Sequence, residues 1–154
     1  MEVGTEYKKG FSLIELLIVV AIIAIGAALS WKSLSDSKKR TQVDSACQSV
    51  AVLVNKARAY ALAGVNQVNR VRVYCDGSSC QLQAQSTSCD PVSDWSTMNG
   101  EQSLALQGAT IHLDSGYSIP YSVPLRTGID TIESSSDNSI TKTLITGPSG
   151  AVCQ

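Results

Sequence analysis

The chain contains one long apolar run, and the single carboxylate inside that run constrains the fold more than any other feature. From Phe11 to Trp31 most residues are Leu, Ile, Val or Ala, and Glu15 carries the only charge. As a helix that rises roughly 1.5 Å per residue, the run would be about 30 Å long, which matches a bilayer core. An ionised carboxylate in hydrocarbon is costly unless it is paired. The sequence therefore predicts a membrane-spanning helix whose Glu15 needs a positive partner.

Proteolysis can create that partner. Cleavage between Gly10 and Phe11 would leave an α-amine four residues before Glu15, on the same face of a helix. The amine is positive at neutral pH, because its reference pKa is about 7.7 to 8.0. It could neutralise Glu15 of its own chain or of a neighbouring copy. Pairing with a neighbour would also set the axial register between subunits.

The stretch from Lys9 to Leu17 resembles the processing signal of type IV pilins and type II secretion pseudopilins. In that family a short basic leader ends in Gly, and a prepilin peptidase cleaves after this Gly and methylates the new N-terminal residue. A Glu follows at the fifth mature position. Gly10, Phe11 and Glu15 stand at the matching positions here. The resemblance implies a leader at 1–10, an N-methylated Phe11 and Glu15 as an assembly residue.

Two other interpretations of this segment stay open. A secretory signal peptide also has a basic end and an apolar centre, and Ala28-Leu29-Ser30 would serve as its cleavage site before Trp31. An ordinary single-pass anchor is the other. Basic residues after the span outnumber those before it, which by itself would place the C-terminal part in the cytoplasm. The cysteines and the Gly-Phe motif favour export of that part instead.

Residues 32–63 are predicted to continue the helix as an amphipathic segment. Apolar residues recur there at spacings of three and four, widened by Ala46, Leu53 and Tyr60, which is enough to pack one side of a sheet. The stripe consists of Val43, Cys47, Val50, Val54, Ala57 and Ala61. Gly64 is a natural C-cap. The predicted organisation is a leader at 1–10, a transmembrane or filament-core helix at 11–31, its continuation at 32–63 and a β-rich domain at 64–154.

The fold class is therefore α+β, with a long N-terminal helix packed on an antiparallel β-rich domain of the type IV pilin kind. Alternating apolar residues, and turn residues between them, predict the strands. The predicted strands are 69–75, 81–85, 104–113, 129–133, 140–146 and 151–153, with 104–113 interrupted by Gly108. Residues 117–125 are confined to an edge or loop by Pro120 and Pro124. Residues 86–103 are predicted to be a loop. Trp95 is expected to fold back onto the core, and exposure of its ring to a partner is the alternative.

Five cysteines in a small exported domain predict disulfide bonds. The expected pairs are Cys75–Cys80, which would close a turn, and Cys89–Cys153, with Cys47 unpaired. A zinc site is the competing interpretation, but the spacings lack paired Cys-x-x-Cys units. A calcium loop among the scattered aspartates also stays open. No metal, cofactor or catalytic residue is assigned, and the chain is not expected to be an enzyme, since His112 is its only histidine.

Charge is distributed unevenly along the chain. Residues 32–64 carry a net charge of +4 and residues 65–154 a net charge of −4, within a total of −1. The basic cluster Lys38-Lys39-Arg40 could face lipid headgroups before assembly, although a solvated helical face is the simpler interpretation. The acidic domain makes nucleic acid an unexpected partner, because binding to phosphates needs a positive surface.

The passage from Ala57 to Val73 and the closing Thr146-Gly147…Ala151-Val152 resemble the GspH/FimT family of minor pseudopilins. This resemblance implies a subunit at or near a filament tip. The expected function is a structural subunit of a type IV pilus or of a type II secretion pseudopilus. Expected partners are other pilin subunits, the prepilin peptidase and an inner-membrane assembly platform. The expected location is the inner membrane, spanned once, with the domain periplasmic. Alternatives are a major type IV pilin and a DNA- or surface-binding minor pilin.

Overall fold

The computed structural model describes residues 11–64, 70–85, 95–98, 100–118, 123–124 and 127–154. The chain divides into two compact units, Met1–Ser37 and Lys38–Gln154. One helix, α1 (Leu13–Ala63), contributes residues to both units. The second unit adds an antiparallel sheet, so the predicted α+β class is confirmed.

Nine strands follow the helix within the described residues. Their bounds are β1 Arg70–Gly77, β2 Ser79–Gln85, β3 Trp95–Thr97, β4 Leu104–Ala105, β5 Ala109–Ser118, β6 Val123–Pro124, β7 Gly128–Ser134, β8 Asp137–Gly147 and β9 Gly150–Cys153. They form one sheet in the order β3-β2-β1-β5-β7-β8-β9, with β4 paired to β2 and β6 paired to β5. Every pairing is antiparallel.

The predicted helical stripe forms the helix side of the core. All six of its residues are at most 1% exposed, and Ala46, Leu53 and Tyr60 pack at its margins as expected. The sheet supplies the other side through its inward-facing residues, which alternate along each strand. These include Val71, Val73, Leu82, Ile111, Leu113, Ile132 and Leu144. The core therefore forms where the apolar face of the helix, whose side chains repeat every 3.6 residues, packs on the apolar face of the sheet, whose side chains repeat every two residues.

The strands depart from the prediction at β3, which lies within the predicted loop 86–103. The predicted interruption of 104–113 at Gly108 is confirmed, and φ there is 75°. The short β4 before this turn pairs with β2, whereas β5 after it pairs with both β1 and β7. The predicted hairpin of 129–133 and 140–146 is confirmed. Both of its strands are longer than predicted, since β7 covers Gly128–Ser134 and β8 covers Asp137–Gly147.

Candidate functional site

The first turn of α1 contains the carboxylate singled out by the sequence. The backbone N–H groups of Glu15 and Leu16 donate to the Ser12 carbonyl oxygen at 3.0 and 3.2 Å. Ser12 therefore precedes the helix as its N-cap, and Glu15 is the third helical residue. Ser12 and Glu15 match the spacing of a capping box. An acidic residue in the first turn also interacts favourably with the positive end of the helix dipole.

The residues on both sides of Glu15 expose apolar side chains. Before it, Phe11 is 82% exposed and Ile14 67%, and after it Ile18, Ile22 and Ile25 are all more than half exposed. By length and composition this part of α1 can cross a membrane, and none of that window is buried. A helix that is apolar on all sides needs an apolar environment around it, either lipid or other protein. Gly10, the predicted cleavage residue, lies outside the described residues. The pairing of Glu15 with an α-amine therefore stays a prediction.

The cysteine pairing corrects one of the expected bonds. Cys75 is joined to Cys80, as expected for neighbours across the β1–β2 hairpin. Cys153 is joined to Cys47, so the expected Cys89–Cys153 bond and the expected free Cys47 are wrong. Cys89 lies outside the described residues.

The physical reason for the Cys47–Cys153 bond is the position of β9. Cys47 belongs to the buried stripe of α1 and is fully buried, so it faces the sheet. Cys153 follows Ala151 at a spacing of two on the same inward face of β9. The two Cα atoms are 6.0 Å apart, within the range that a disulfide can span.

Side chains of α1 and β5 hold the β8–β9 hairpin at three further points that sequence reasoning missed. The Asn55 amide donates to the Ala151 carbonyl at 3.3 Å, and its oxygen accepts from the Ala151 N–H at 3.0 Å. Arg58 Nε donates to the Pro148 carbonyl at 3.0 Å, and the Tyr117 hydroxyl donates to the Gly147 carbonyl at 3.2 Å. Together with Cys47–Cys153, we call these contacts the β9 clasp.

Asn55 acts in the β9 clasp as a neighbouring strand would. Its amide satisfies both the N–H and the C=O of Ala151 on the side of β9 that does not face β8. An edge strand otherwise leaves such groups open to pairing with another chain. Gly150 has φ of 124°, and a Cβ there would overlap Asn55 Oδ1. Glycine is therefore required for this close approach of side chain and backbone.

A second contact between helix and loop involves Glu101. Its carboxylate accepts from Lys56 Nζ and from the Tyr60 hydroxyl, each at 2.7 Å. The hydrogen bond from Lys56, followed by that from Tyr60, lowers the pKa of Glu101. The same carboxylate raises the pKa of Lys56 and of Tyr60. This triad fastens the segment before β4 to α1.

Trp95 does not join the core, contrary to the prediction. Its ring lies 4.2 Å from the Arg72 guanidinium carbon, on the outward face of the sheet, and the Tyr74 ring lies 5.1 Å from the same carbon. Arg72 also donates to Gln83 at 2.9 Å and to Asp114 at 3.1 Å. Val71 and Val73 occupy the inward positions of β1, so Arg72 between them must face outward. Trp95 lies at the outer edge of that face because β3 pairs with β2.

The described residues bring together no group of three His, Cys, Asp or Glu side chains that could hold a metal ion. His112 lies 3.2 Å from Asp76 on the exposed surface of β5 and β1. What these residues do provide is an apolar first part of α1, residues 13–31, with a carboxylate in its first turn, and a sheet domain packed on the second part of α1, residues 32–63. The first part needs lipid or other protein around it, as a membrane anchor or a subunit helix would.

Comparison with known proteins agrees with such a role. Residues 7–31 match the family model described as the prokaryotic N-terminal methylation motif. Two curated proteins from Pseudomonas aeruginosa, each named "Fimbrial protein", are 33% identical over 118 residues, covering 68% of this chain and 77% of the relative. No solved structure matches the chain.

The chain belongs to the type IV pilin family. It is a pilin-like structural subunit, and membership of this family implies assembly with other pilin subunits. Family membership points to a structural rather than an enzymatic role. The methylation motif and the exposed apolar part of α1 fit membrane anchoring followed by incorporation into a pilus.

Proposed function

We propose that the chain is a prepilin that matures by removal of residues 1–10 and then assembles through the first part of α1. A prepilin peptidase cleaves between Gly10 and Phe11 and methylates Phe11. Before cleavage the chain spans the inner membrane once, with residues 32–63 and 64–154 on the periplasmic side. The observation that carries this proposal is the exposed apolar surface of residues 11–28, which begins at Phe11 and contains Glu15 as its only charge.

In the proposed mechanism, maturation makes assembly possible. The new α-amine of one subunit neutralises Glu15 of a neighbour, so that a paired charge replaces an isolated one in an apolar environment. An assembly platform then moves the helix from lipid into the filament core. There the apolar sides of neighbouring helices replace the lipid chains.

The GspH/FimT resemblance supports a minor subunit at or near the tip. A second candidate, the major pilus subunit, is supported by the two relatives, because both are named as fimbrial proteins. Deleting a major subunit abolishes filaments, whereas deleting a minor one leaves filaments that are fewer or altered. Quantitative immunoblotting gives the same distinction, since a major subunit greatly outnumbers the assembly machinery.

A DNA-binding role is the third candidate. The turn Gly147-Pro148-Ser149-Gly150 has no basic residue of its own, but Arg58 approaches it and donates to the Pro148 carbonyl. One guanidinium that is already engaged supplies little of the positive surface that phosphates require. Gel retardation at two salt concentrations tests the role, and a salt-sensitive shift that Arg58→Gln removes would support it.

Substitution of Gly10 tests the cleavage step. Gly10→Glu should leave an uncut chain in the membrane, detected as a precursor by mass spectrometry, whereas the control Gly4→Glu should mature normally. A native chain that begins at any residue other than N-methylated Phe11 contradicts the proposal. A mature N-terminus at Trp31 would instead identify a secretory signal peptide.

Substitution of Glu15 tests the assembly step separately. Glu15→Gln keeps the shape and removes the charge, so it should be cleaved and anchored normally while filament yield falls at least about tenfold, equivalent to roughly 1.4 kcal/mol. The control Ser12→Ala weakens the N-cap without touching the carboxylate. An equal loss of filaments in both variants would show that Glu15 acts by stabilising the first helical turn. Normal assembly of Glu15→Gln would remove the pairing mechanism.

A further inference from the structure

A polar cleft lies between α1 and β8 within the second unit. It has a volume of about 420 Å³. The α1 side contributes Arg40, Thr41 and Asp44, and the β8 side contributes Ser139, Thr141 and Lys142. Val43 and Ile140 complete the lining, so six of its eight side chains end in a charged group or a hydroxyl. The cleft is therefore suited to a small charged group rather than to an apolar ligand.

The surroundings of the cleft are positively charged. Arg40 and Lys142 line the cleft together with Asp44, and the ion pair of Lys39 and Asp137 lies beside the lining residue Ser139. Both acids are already compensated, since Lys142 lies 3.2 Å from Asp44 and Lys39 lies 3.5 Å from Asp137. Lys38 and Arg40 are exposed, and neither has an ionic partner among the described residues. The surplus charge favours an anion.

The chemistry of the lining points to a phosphate. The planar guanidinium of Arg40 can bind two oxygens of a phosphate at once. Lys142 can add a point charge, which it would share with Asp44 at 3.2 Å. The hydroxyls of Ser139 and Thr141 can donate to the remaining oxygens. Ser139 does donate to Asp137 at 2.6 Å, so its hydroxyl would have to rotate to reach an anion in the cleft.

The position of the cluster in the sequence indicates where the phosphate comes from. Lys38, Lys39 and Arg40 follow the end of the apolar span by seven to nine residues within one helix. Long basic side chains near the end of a membrane helix reach back to the headgroup layer. Clusters of Lys and Arg beside a span attract anionic lipids.

We propose that this cleft binds the headgroup phosphate of an anionic phospholipid, with Arg40 and Lys142 as its charged contacts. The bound lipid holds the domain at the membrane surface until the helix leaves the bilayer. The inference rests on membrane anchoring alone. It is independent of leader cleavage, of Glu15 and of whether the subunit is major or minor.

Native mass spectrometry of the full-length chain tests the proposal. The chain is released from mixed micelles that contain equal amounts of phosphatidylglycerol and phosphatidylcholine. These lipids share the phosphate but differ in net charge. The chain should retain phosphatidylglycerol preferentially, and Arg40→Gln should reduce that preference by about fivefold, the effect expected of one basic residue at an anionic surface.

Arg70→Gln is the matched control, because Arg70 is an exposed arginine of β1 that does not line the cleft. It should leave the lipid preference unchanged. Equal retention of the two lipids, or an equal effect of the two substitutions, would overturn the proposal. Displacement of the lipid by millimolar inorganic phosphate would overturn it in favour of a site for free phosphate. Circular dichroism of both variants checks that each remains folded, and Thr141→Val provides an uncharged second probe of the same cleft.

Discussion

The two parts of α1, residues 13–31 and 32–63, present different kinds of surface to their surroundings. In the first part, Ile14, Leu16 and Ile22 are all more than 60% exposed although they point in different directions around the helix axis. In the second part, Val50 and Val54 are fully buried while Val52, between them, is 66% exposed. The first part is apolar all round, and the second has a single apolar stripe.

This contrast shows that helix formation and the environment of the helix are separate properties of the sequence. Both parts are rich in residues that form helices, so local propensity does not distinguish them. The distribution of apolar residues around the axis does. The second part finds its apolar partner in its own sheet, whereas the first part must find one outside the chain, in lipid or in other subunits.

The largest predicted effect comes from placing a carboxylate on each part. Val50→Asp should destabilise the second unit by at least about 4 kcal/mol, because it buries an unpaired charge. Val52→Asp, two residues further along the helix, should change the free energy of unfolding by less than about 0.5 kcal/mol. In the first part, Ile18→Asp and Val20→Asp should both impair membrane insertion, by roughly 2.5 to 3.5 kcal/mol each.

Denaturant unfolding in detergent measures the first pair of variants, and membrane extraction at alkaline pH measures the second pair. The comparison between the two parts fails if Val52→Asp is as damaging as Val50→Asp. It also fails if only one of the two first-part variants loses membrane retention, since that would reveal a buried face there.

A second large effect is expected from the disulfides, because only the second part of α1 carries a cysteine. Cys47 and Cys153 are 106 residues apart, and Cys75 and Cys80 only five. A disulfide restricts the unfolded chain, and a longer loop is restricted more. Replacing Cys47 and Cys153 by Ala should therefore lower the free energy of unfolding by about 4 to 5 kcal/mol, and replacing Cys75 and Cys80 by roughly 2 kcal/mol.

Urea unfolding of the two double variants measures how much each bond contributes to stability. Equal losses would mean that the remaining contacts of the β9 clasp, at Asn55, Arg58 and Tyr117, already fix β9 to the helix without the covalent bond. The single variant Cys89→Ala is the control for removing a cysteine that neither described bond uses.

The smallest effect concerns pH and also belongs to the second part. Hydrogen bonds from Lys56 and Tyr60 lower the pKa of Glu101 below its ordinary value. Its contribution to stability is therefore complete above pH of about 4.3 and is lost as the pH falls through the lowered folded pKa. Glu101→Gln should cost about 0.5 to 1 kcal/mol at neutral pH, since the contact is near the surface.

The difference in stability between Glu101→Gln and the unaltered chain should become smaller as the pH falls. Thermal unfolding measured between neutral pH and pH of about 3 tests this. Glu133→Gln, at an outward position of β7, is the matched control and should show no such convergence. A constant difference across this range would mean that the Glu101 side chain stabilises the chain through packing rather than through charge.

Features that depend on neighbouring residues were predictable. The buried stripe from Val43 to Ala61 was read from its three- and four-residue spacing, and the inward side of β1 from the alternation of Val71 and Val73. The β7–β8 hairpin was likewise evident from two β-rich runs separated by serines. In each case the residues that carry the signal are close to one another in the sequence.

Features that join distant segments were not predictable from one sequence. Cysteine spacing allowed several pairings, and Cys153 was assigned to Cys89 because nothing local indicated that β9 lies beside Cys47. Trp95 is expected in the core, yet the pairing of β3 with β2 leaves its ring stacked on Arg72. The contacts of Asn55 and Arg58 with the β8–β9 hairpin had no sequence signal at all.

By itself, the sequence determined that this protein has a helix with two kinds of surface, a carboxylate at the start of the apolar one, and β-rich chain after it. Those properties follow from residue type and period, which every short segment carries within itself. Only the tertiary structure decided which cysteines meet, which side chain closes the edge of β9 and which charges gather beside β8. Such choices depend on the order of strands in the sheet, and that order is set by the packing of all segments at once.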